Sequence, residues 1–194
     1  VFSGRTNETF NYFKERTSKN SKNAYFSNIF RGKPVFPHEE MYRDGLAYGI
    51  NSETLKTIHN GPDIRILISH PPAWSGPRLA TFMGLGAYSI EKQLKNPVHP
   101  LLAARLGFTP ETVRARDCKT PEELIDTLLQ SSCTPPFTPL CYRNGKPVLD
   151  GGLIDNVPLK ALEKEDGNTL VLLTRQYPSA SIPVIKHRIY VQPS

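Results

Sequence analysis

The stretch GKPVLDGGLIDNVPL, residues 145–159, constrains this chain more than any other. A short apolar run with strand character, Val148-Leu149, ends on an acid, Asp150, and two glycines follow at once. A carboxylate at the end of a buried strand must be solvated, paired or put to use. Gly151 and Gly152 let the backbone come close to whatever that acid meets. In open α/β sheets, functional groups gather at the carboxyl ends of strands, so Asp150 is the first candidate site residue. Read locally, it serves equally well as a turn aspartate capping the glycine pair. Asp155-Asn156 reads as an N-cap pair for a helix that contains Pro158.

Around this stretch, helical and strand patterns alternate. Thr6, Asn7 and Glu8 predict a capped helix with Phe10 and Phe13 on its apolar face. A second helix is predicted from near Pro37, with Met41, Leu46 and Ile50 as its buried stripe. The β-branched run over residues 64–68 predicts a strand, ended by Pro71 and Pro72. Residues 79–106 follow a helical period, broken at Asn96 and Pro97. In TPEELIDTLLQSS, Thr120 caps a helix, Pro121 suits its first turn, and Glu123 completes a capping box. Leu124, Leu128 and Leu129 form its stripe. Asn144-Gly145 between two short apolar stretches predicts a hairpin. NVPLKALEKEDG reads as a short helix ending at Gly167. NTLVLLTRQYP and HRIYVQPS are two further strands, the first apolar enough to be buried on both faces. Alternation of this kind predicts a layered α/β fold.

With 194 residues the chain can bury a sizeable core as one domain, and 38% hydrophobic with 22% charged residues excludes wholesale disorder. The net charge of +6 favours anionic partners. Its basic residues, among them Lys14, Lys19, Lys22, Arg31, Lys33, Arg114, Arg116 and Arg188, are dispersed and accompany no nucleic-acid module, so nucleic acid is not the expected partner. Cys118, Cys133 and Cys141 cannot all pair within one chain and match no zinc spacing. They read as reduced thiols, with a Cys133–Cys141 bridge as the alternative in an oxidising compartment. His70 ends the strand ILISH and reads as a strand-end or cleft-wall residue. His38, His59, His99 and His187 have no metal-binding spacing. No apolar run approaches the roughly 20 residues of a spanning helix. The opening VFSGRTNETF lacks the head of a signal peptide and reads as the interior of a longer protein.

The stretch VLDGGLIDNVPL closely resembles the Asp-Gly-Gly/Ala motif of patatin-like phospholipases. The order of its surroundings is similar too: SSCTPPFTP, then a hairpin carrying the motif, then TLVLLT and RIYVQPS. FRGKPVFPHEEMYRD and DIRILISHPP also look like bacterial members of the family. The resemblance covers essentially all of residues 1–194 and implies a single three-layer α/β/α sandwich, incomplete at its N-terminus. It implies a lipid acyl hydrolase in which Asp150 is the base for a catalytic serine, without metal or cofactor. The substrate would be a lipid or other acyl ester, met in the cytoplasm or at the periphery of a membrane. A non-catalytic relative that binds lipid or protein is the alternative. The family's serine lies in a Gly-x-Ser-x-Gly elbow, which this sequence does not contain. Ser3 lacks the preceding glycine, and Ser75 sits in the Pro-bounded PAWSGP rather than a strand-to-helix turn. The oxyanion loop and the serine are therefore expected upstream of Val1, and residues 1–194 by themselves are expected to be inactive. Trp74, Phe82, Met83, Leu85 and Tyr88 could line an acyl groove, form a mobile cover, or belong to an ordinary core helix.

Overall fold

A computed structural model describes residues 5–19, 38–94, 97–135, 137–162 and 167–193. Helix α1 (Thr6–Ser18) begins at Arg5, which gives no side-chain cap and bonds Glu8 instead (Nε–Oε2 2.9 Å). The polar cap expected from Thr6, Asn7 and Glu8 is therefore not formed. Phe13 packs against Tyr42 of α2 (His38–Gly49), and Arg16 pairs with Asp44. The predicted start at Pro37 lies outside the described residues. Met41, Leu46 and Ile50 are only half-buried, whereas Gly45 and Gly49 are fully buried. The two helices approach so closely there that a Cβ on either glycine would come within 2.9 Å of Phe13 or Thr9. Helix α3 (Ser52–Asn60), not anticipated, has a capping box. Asn51 Oδ1 accepts from the Glu53 and Thr54 amides, and the Asn51 amide donates to Thr54 Oγ1 at 2.7 Å.

The chain then builds β1 (Arg65–His70), α4 (Pro77–Leu94), α5 (Leu102–Arg105), β2 (Thr109–Arg114), α6 (Pro121–Gln130), β3 (Cys141–Arg143) and β4 (Lys146–Asp150). These four strands form one sheet in the order β2-β1-β4-β3, and every neighbouring pair is antiparallel. Strand β2 escapes a hydrophobicity reading because it is an edge strand, carrying Pro110 and burying only Val113. The hairpin is as predicted: Asn144 (φ 50°) and Gly145 (φ 74°) both take the left-handed conformation that a tight two-residue turn requires. Thr120 caps α6 by accepting the Glu123 amide. The capping box stays open, because the Glu123 carboxylate accepts from Lys119 one residue earlier (2.7 Å).

The antiparallel sheet is covered on both faces, which makes the α/β/α layering. On one face Ile66 packs with Leu55 and Ile58 of α3 and Leu124 of α6. On the other, Leu149 packs with Ala80 of α4, Ala103 of α5 and Leu153. Gly84 of α4 permits this contact, since a Cβ there would meet Leu153 at 3.1 Å and Phe108 at 3.3 Å. Leu149 is fully buried, and Leu149→Ala is expected to cost about 2–5 kcal/mol in urea unfolding.

Strands β5 (Thr169–Leu172) and β6 (Arg188–Val191) pair in parallel as a separate two-stranded sheet. The expectation that residues 169–172 are buried on both faces is not met. Val171 packs with Val98, Leu159 and Tyr177, while Leu170 and Leu172 are 61% and 69% exposed. Strand alternation puts these two on the opposite face from Val171, with nothing described above them. Of the helix expected in NVPLKALEKEDG, the described residues show a 3-10 turn at Leu159–Leu162; residues 163–166 lie outside the described set, and Gly167 has φ 133°.

Candidate active site

Asp150 is the last residue of β4 and faces Ile68 across the sheet. Its amide donates to the Cys133 carbonyl (2.8 Å), tying it to the segment after α6. Its carboxylate accepts the Gly152 amide on Oδ1 (2.7 Å) and the Thr134 hydroxyl on Oδ2 (3.4 Å). Gly151 is buried beneath it, where an added Cβ would collide with the Leu67 carbonyl, 2.8 Å from the carbon. A Cβ on Gly152 would press on Asn156 Oδ1 at 2.8 Å and Asp150 Oδ1 at 3.1 Å. Both glycines therefore answer a close approach. Asp150 also does what a turn aspartate does, capping the 3-10 turn Gly151–Leu153 through the Gly152 amide.

Burial pushes the Asp150 carboxyl above the ordinary carboxylate range, and the Gly152 amide and the Thr134 hydroxyl only partly offset it. Other acids of the sheet behave differently. Burial would also raise Glu111, but hydrogen bonds from His70 (2.5 Å) and Arg143 (2.8 Å) outweigh it and hold this acid low. Asp63 is held low by Arg114 and Arg65. Asp150 is thus a weakly compensated acid, more basic than a surface aspartate.

The histidines separate accordingly. His70 ends β1 and is engaged with Glu111. His99, assigned no role from spacing, pairs through Nδ1 with Asp155 (3.1 Å). Asp155 in turn accepts the Val157 amide (2.9 Å), a turn-forming role close to the helix start expected of it. Cys118, Cys133 and Cys141 form no disulfide; Cys133 Sγ instead accepts the Cys141 amide at 3.2 Å. Ser75 is spent on the turn carbonyl of Pro72 (2.9 Å), and Ser3 lies outside the described residues. Among the described residues, no cluster of His, Cys, Asp and Glu could hold a metal.

The residues considered for an acyl groove do not act together. Met83 and Leu85 pack against the core beneath α4, and Trp74 and Phe82 are exposed. Phe82 does line a cleft of about 390 Å³ with Arg78, Pro135, Thr138, Pro139 and Leu140. Asp150 does not line this cleft; it is linked to it through Thr134, whose amide donates to Thr138 (2.8 Å) and whose hydroxyl reaches the Asp150 carboxylate (3.4 Å). Thr134 and the cleft escape a sequence reading because they meet Asp150 only through the loop after α6. A larger apolar cavity of about 480 Å³ lies between α1 and α2 on one side and α3, α6 and Ile66 on the other.

The candidate acid thus ends a strand of an α/β/α domain and is followed by two crowded glycines. The model of the patatin-like phospholipase family matches residues 2–163, and the chain belongs to that family of lipid acyl hydrolases. No curated protein and no solved structure matched the chain.

Two measurements test this geometry. Gly151→Ala is expected to lose about 3 kcal/mol or more, because the neighbour it meets is backbone and cannot yield. For Asp150 the sign runs against stability. An acid whose folded pKa is raised favours folding below its unfolded pKa and loses that contribution as pH rises through the folded value. Asp150→Asn is therefore expected to raise the urea midpoint more at about pH 7 than at about pH 4. Equal shifts at the two pH values would mean that the acid is no less solvated folded than unfolded.

Proposed function

We propose that the protein is a serine hydrolase of lipid esters in which Asp150 is the base of a Ser-Asp dyad, its serine lying upstream of Val1. The observation that carries this reading is the Asp150 carboxylate, desolvated, raised in basicity and held by a neutral amide and a neutral hydroxyl. A serine hydroxyl is a weak nucleophile that needs a base within hydrogen-bond reach. A paired carboxylate would be too weak a base for that work; one short of compensation favours taking the proton.

In the reaction the serine oxygen attacks the ester carbonyl while its proton passes to Asp150. Collapse of the tetrahedral adduct expels the alcohol, which takes the proton, and leaves an acyl-enzyme. Water activated by the same carboxylate then releases the acid. The Gly152 amide orients Oδ1, leaving the other oxygen, now shared only with the distant Thr134 hydroxyl, as the one suited to the serine. The cleft beside Phe82 and Leu140, linked to this acid through Thr138 and Thr134, supplies apolar surface for a substrate chain.

Asp150→Asn in the protein with its upstream segment is expected to lower kcat/KM on a p-nitrophenyl ester by about 10²–10⁴-fold. The protein should remain folded by circular dichroism. Undiminished hydrolysis by the folded variant would remove Asp150 from the mechanism. Residues 1–194 by themselves are expected to release no p-nitrophenol above the uncatalysed rate.

A further inference from the structure

The outer face of α4 is apolar and uncovered among the described residues. Leu79, Phe82, Ile90 and Leu94 are exposed, Phe82 by 68% and Leu94 by 77%. With Gly86 between them they follow spacings of three and four residues, so they line one face over about 22 Å. The opposite face, Ala80, Thr81, Gly84 and Ala87, is the one buried against the domain. Burial of that face accounts for the helix; it does not account for the apolar stripe turned away from it. Ser89 and Gln93 are exposed on the same side, so the apolar side chains form two groups, Leu79 with Phe82 and Ile90 with Leu94, and exposed apolar groups clustered on one helix face mark an interaction site.

The charge around the strip identifies what it meets. Between residues 73 and 107 the sequence has Arg78, Lys92, Lys95 and Arg105, and a single acid, Glu91. Both carboxylate oxygens of Glu91 are occupied by the amides of Leu101 and Leu102 (3.0–3.1 Å), which fasten the following segment to the helix. Arg78, Lys92 and Arg105 are exposed, as are Leu101 and Trp74 beside the helix ends. Long basic side chains flanking an apolar strip, with a tryptophan nearby, suit an anionic lipid surface: the strip enters the acyl boundary while the cations meet the headgroups. No described helix is long and apolar enough to cross a membrane, so the helix would lie in the interface plane.

We infer that the outer face of α4 docks the protein on an anionic lipid surface. The position gives this docking a purpose. Arg78 and Phe82, at the first turns of the strip, also line the cleft that is linked to Asp150 through Thr138 and Thr134. A lipid drawn from the surface would enter that cleft directly. This purpose rests on the lipid-hydrolase reading, but the docking itself can be measured without turnover.

The test uses Asp150→Asn protein, so that no lipid is consumed, with vesicles of phosphatidylcholine alone or mixed with phosphatidylglycerol. Binding by co-sedimentation should be stronger on the mixed vesicles. Ile90→Glu/Leu94→Glu should weaken it at least about tenfold. Arg78→Gln and Lys92→Gln should each weaken it about fivefold on the mixed vesicles and leave the neutral ones unaffected. Trp74 is the only tryptophan of the sequence, and in the chain without substitutions at the strip its emission should shift to the blue on mixed vesicles. That measurement decides the matter even if the glutamate variant fails to fold. Binding undiminished in the folded glutamate variant, or no shift of Trp74 emission, overturns the proposal. So does a lipid-free dimer of the parent that the glutamates dissociate, which would make the strip an interface between copies. The hydrolase reading stands or falls separately, on the esterase assay of Asp150→Asn.

Discussion

Where the Gly151 backbone passes the carbonyl of Leu67, three parts of the molecule are held together. Strands β1 and β4 share only the pairs Ile68–Asp150 and Ser69–Leu149 before the chain turns away. At that point the Ser131 hydroxyl donates to the Leu67 carbonyl (2.7 Å) and the Gly151 amide donates to the Ser131 carbonyl (3.3 Å). The Asp150 amide adds its bond to Cys133. The end of α6, the middle of β1 and the end of β4 thus meet at one junction of backbone groups. Any side chain at Gly151 would pry it open, and with it the position of the Asp150 carboxylate.

The same junction explains the electrostatics of Asp150. Asp150 is half-buried at this junction, and among the described residues no cationic side chain is bonded to it. The hydrogen-bonding groups that reach it are an amide and a hydroxyl, both neutral. At the other edge of β1, Glu111 has Arg143 and His70 as partners, and near the start of β1 Asp63 gathers Arg65, Arg114 and Arg116. Those acids hold strands together. Asp150 is left with the cost of burial, which its two neutral partners only partly offset.

Much of the framework was legible from short-range physics. The hairpin at Asn144-Gly145 was readable because a two-residue turn demands positive φ at both positions. Helix α6 was readable from Thr120, Pro121 and its leucines, since capping and period are local. What failed did so for tertiary reasons. The cap of α1 gave way to Arg5, which bonds Glu8 and also donates to the Tyr48 carbonyl of α2 (3.0 Å). Strand β2 owes its existence to pairing with β1 rather than to its own polar sequence. Residues 169–172 look buried on both faces because they are apolar, yet one face has nothing described upon it. The partners of His99 and Asp155 are 56 residues apart, and no local spacing announces them.

Sequence by itself determined that Asp150 ends a strand and that two glycines must follow, since a strand pattern, an acid and a glycine pair are local facts that need no neighbours. It also carried the family resemblance, and with it the expectation of a serine partner. Only the tertiary structure decided why Gly151 is required, because the obstacle is a carbonyl 84 residues earlier in the chain. Only it decided that the acid is half-buried and, among the described residues, without a bonded cation, because solvation and charge pairing depend on what long-range packing brings together. The same holds for α4: its period showed a helix, but which of its faces is buried, and which is exposed among the described residues, was settled by what it packs on.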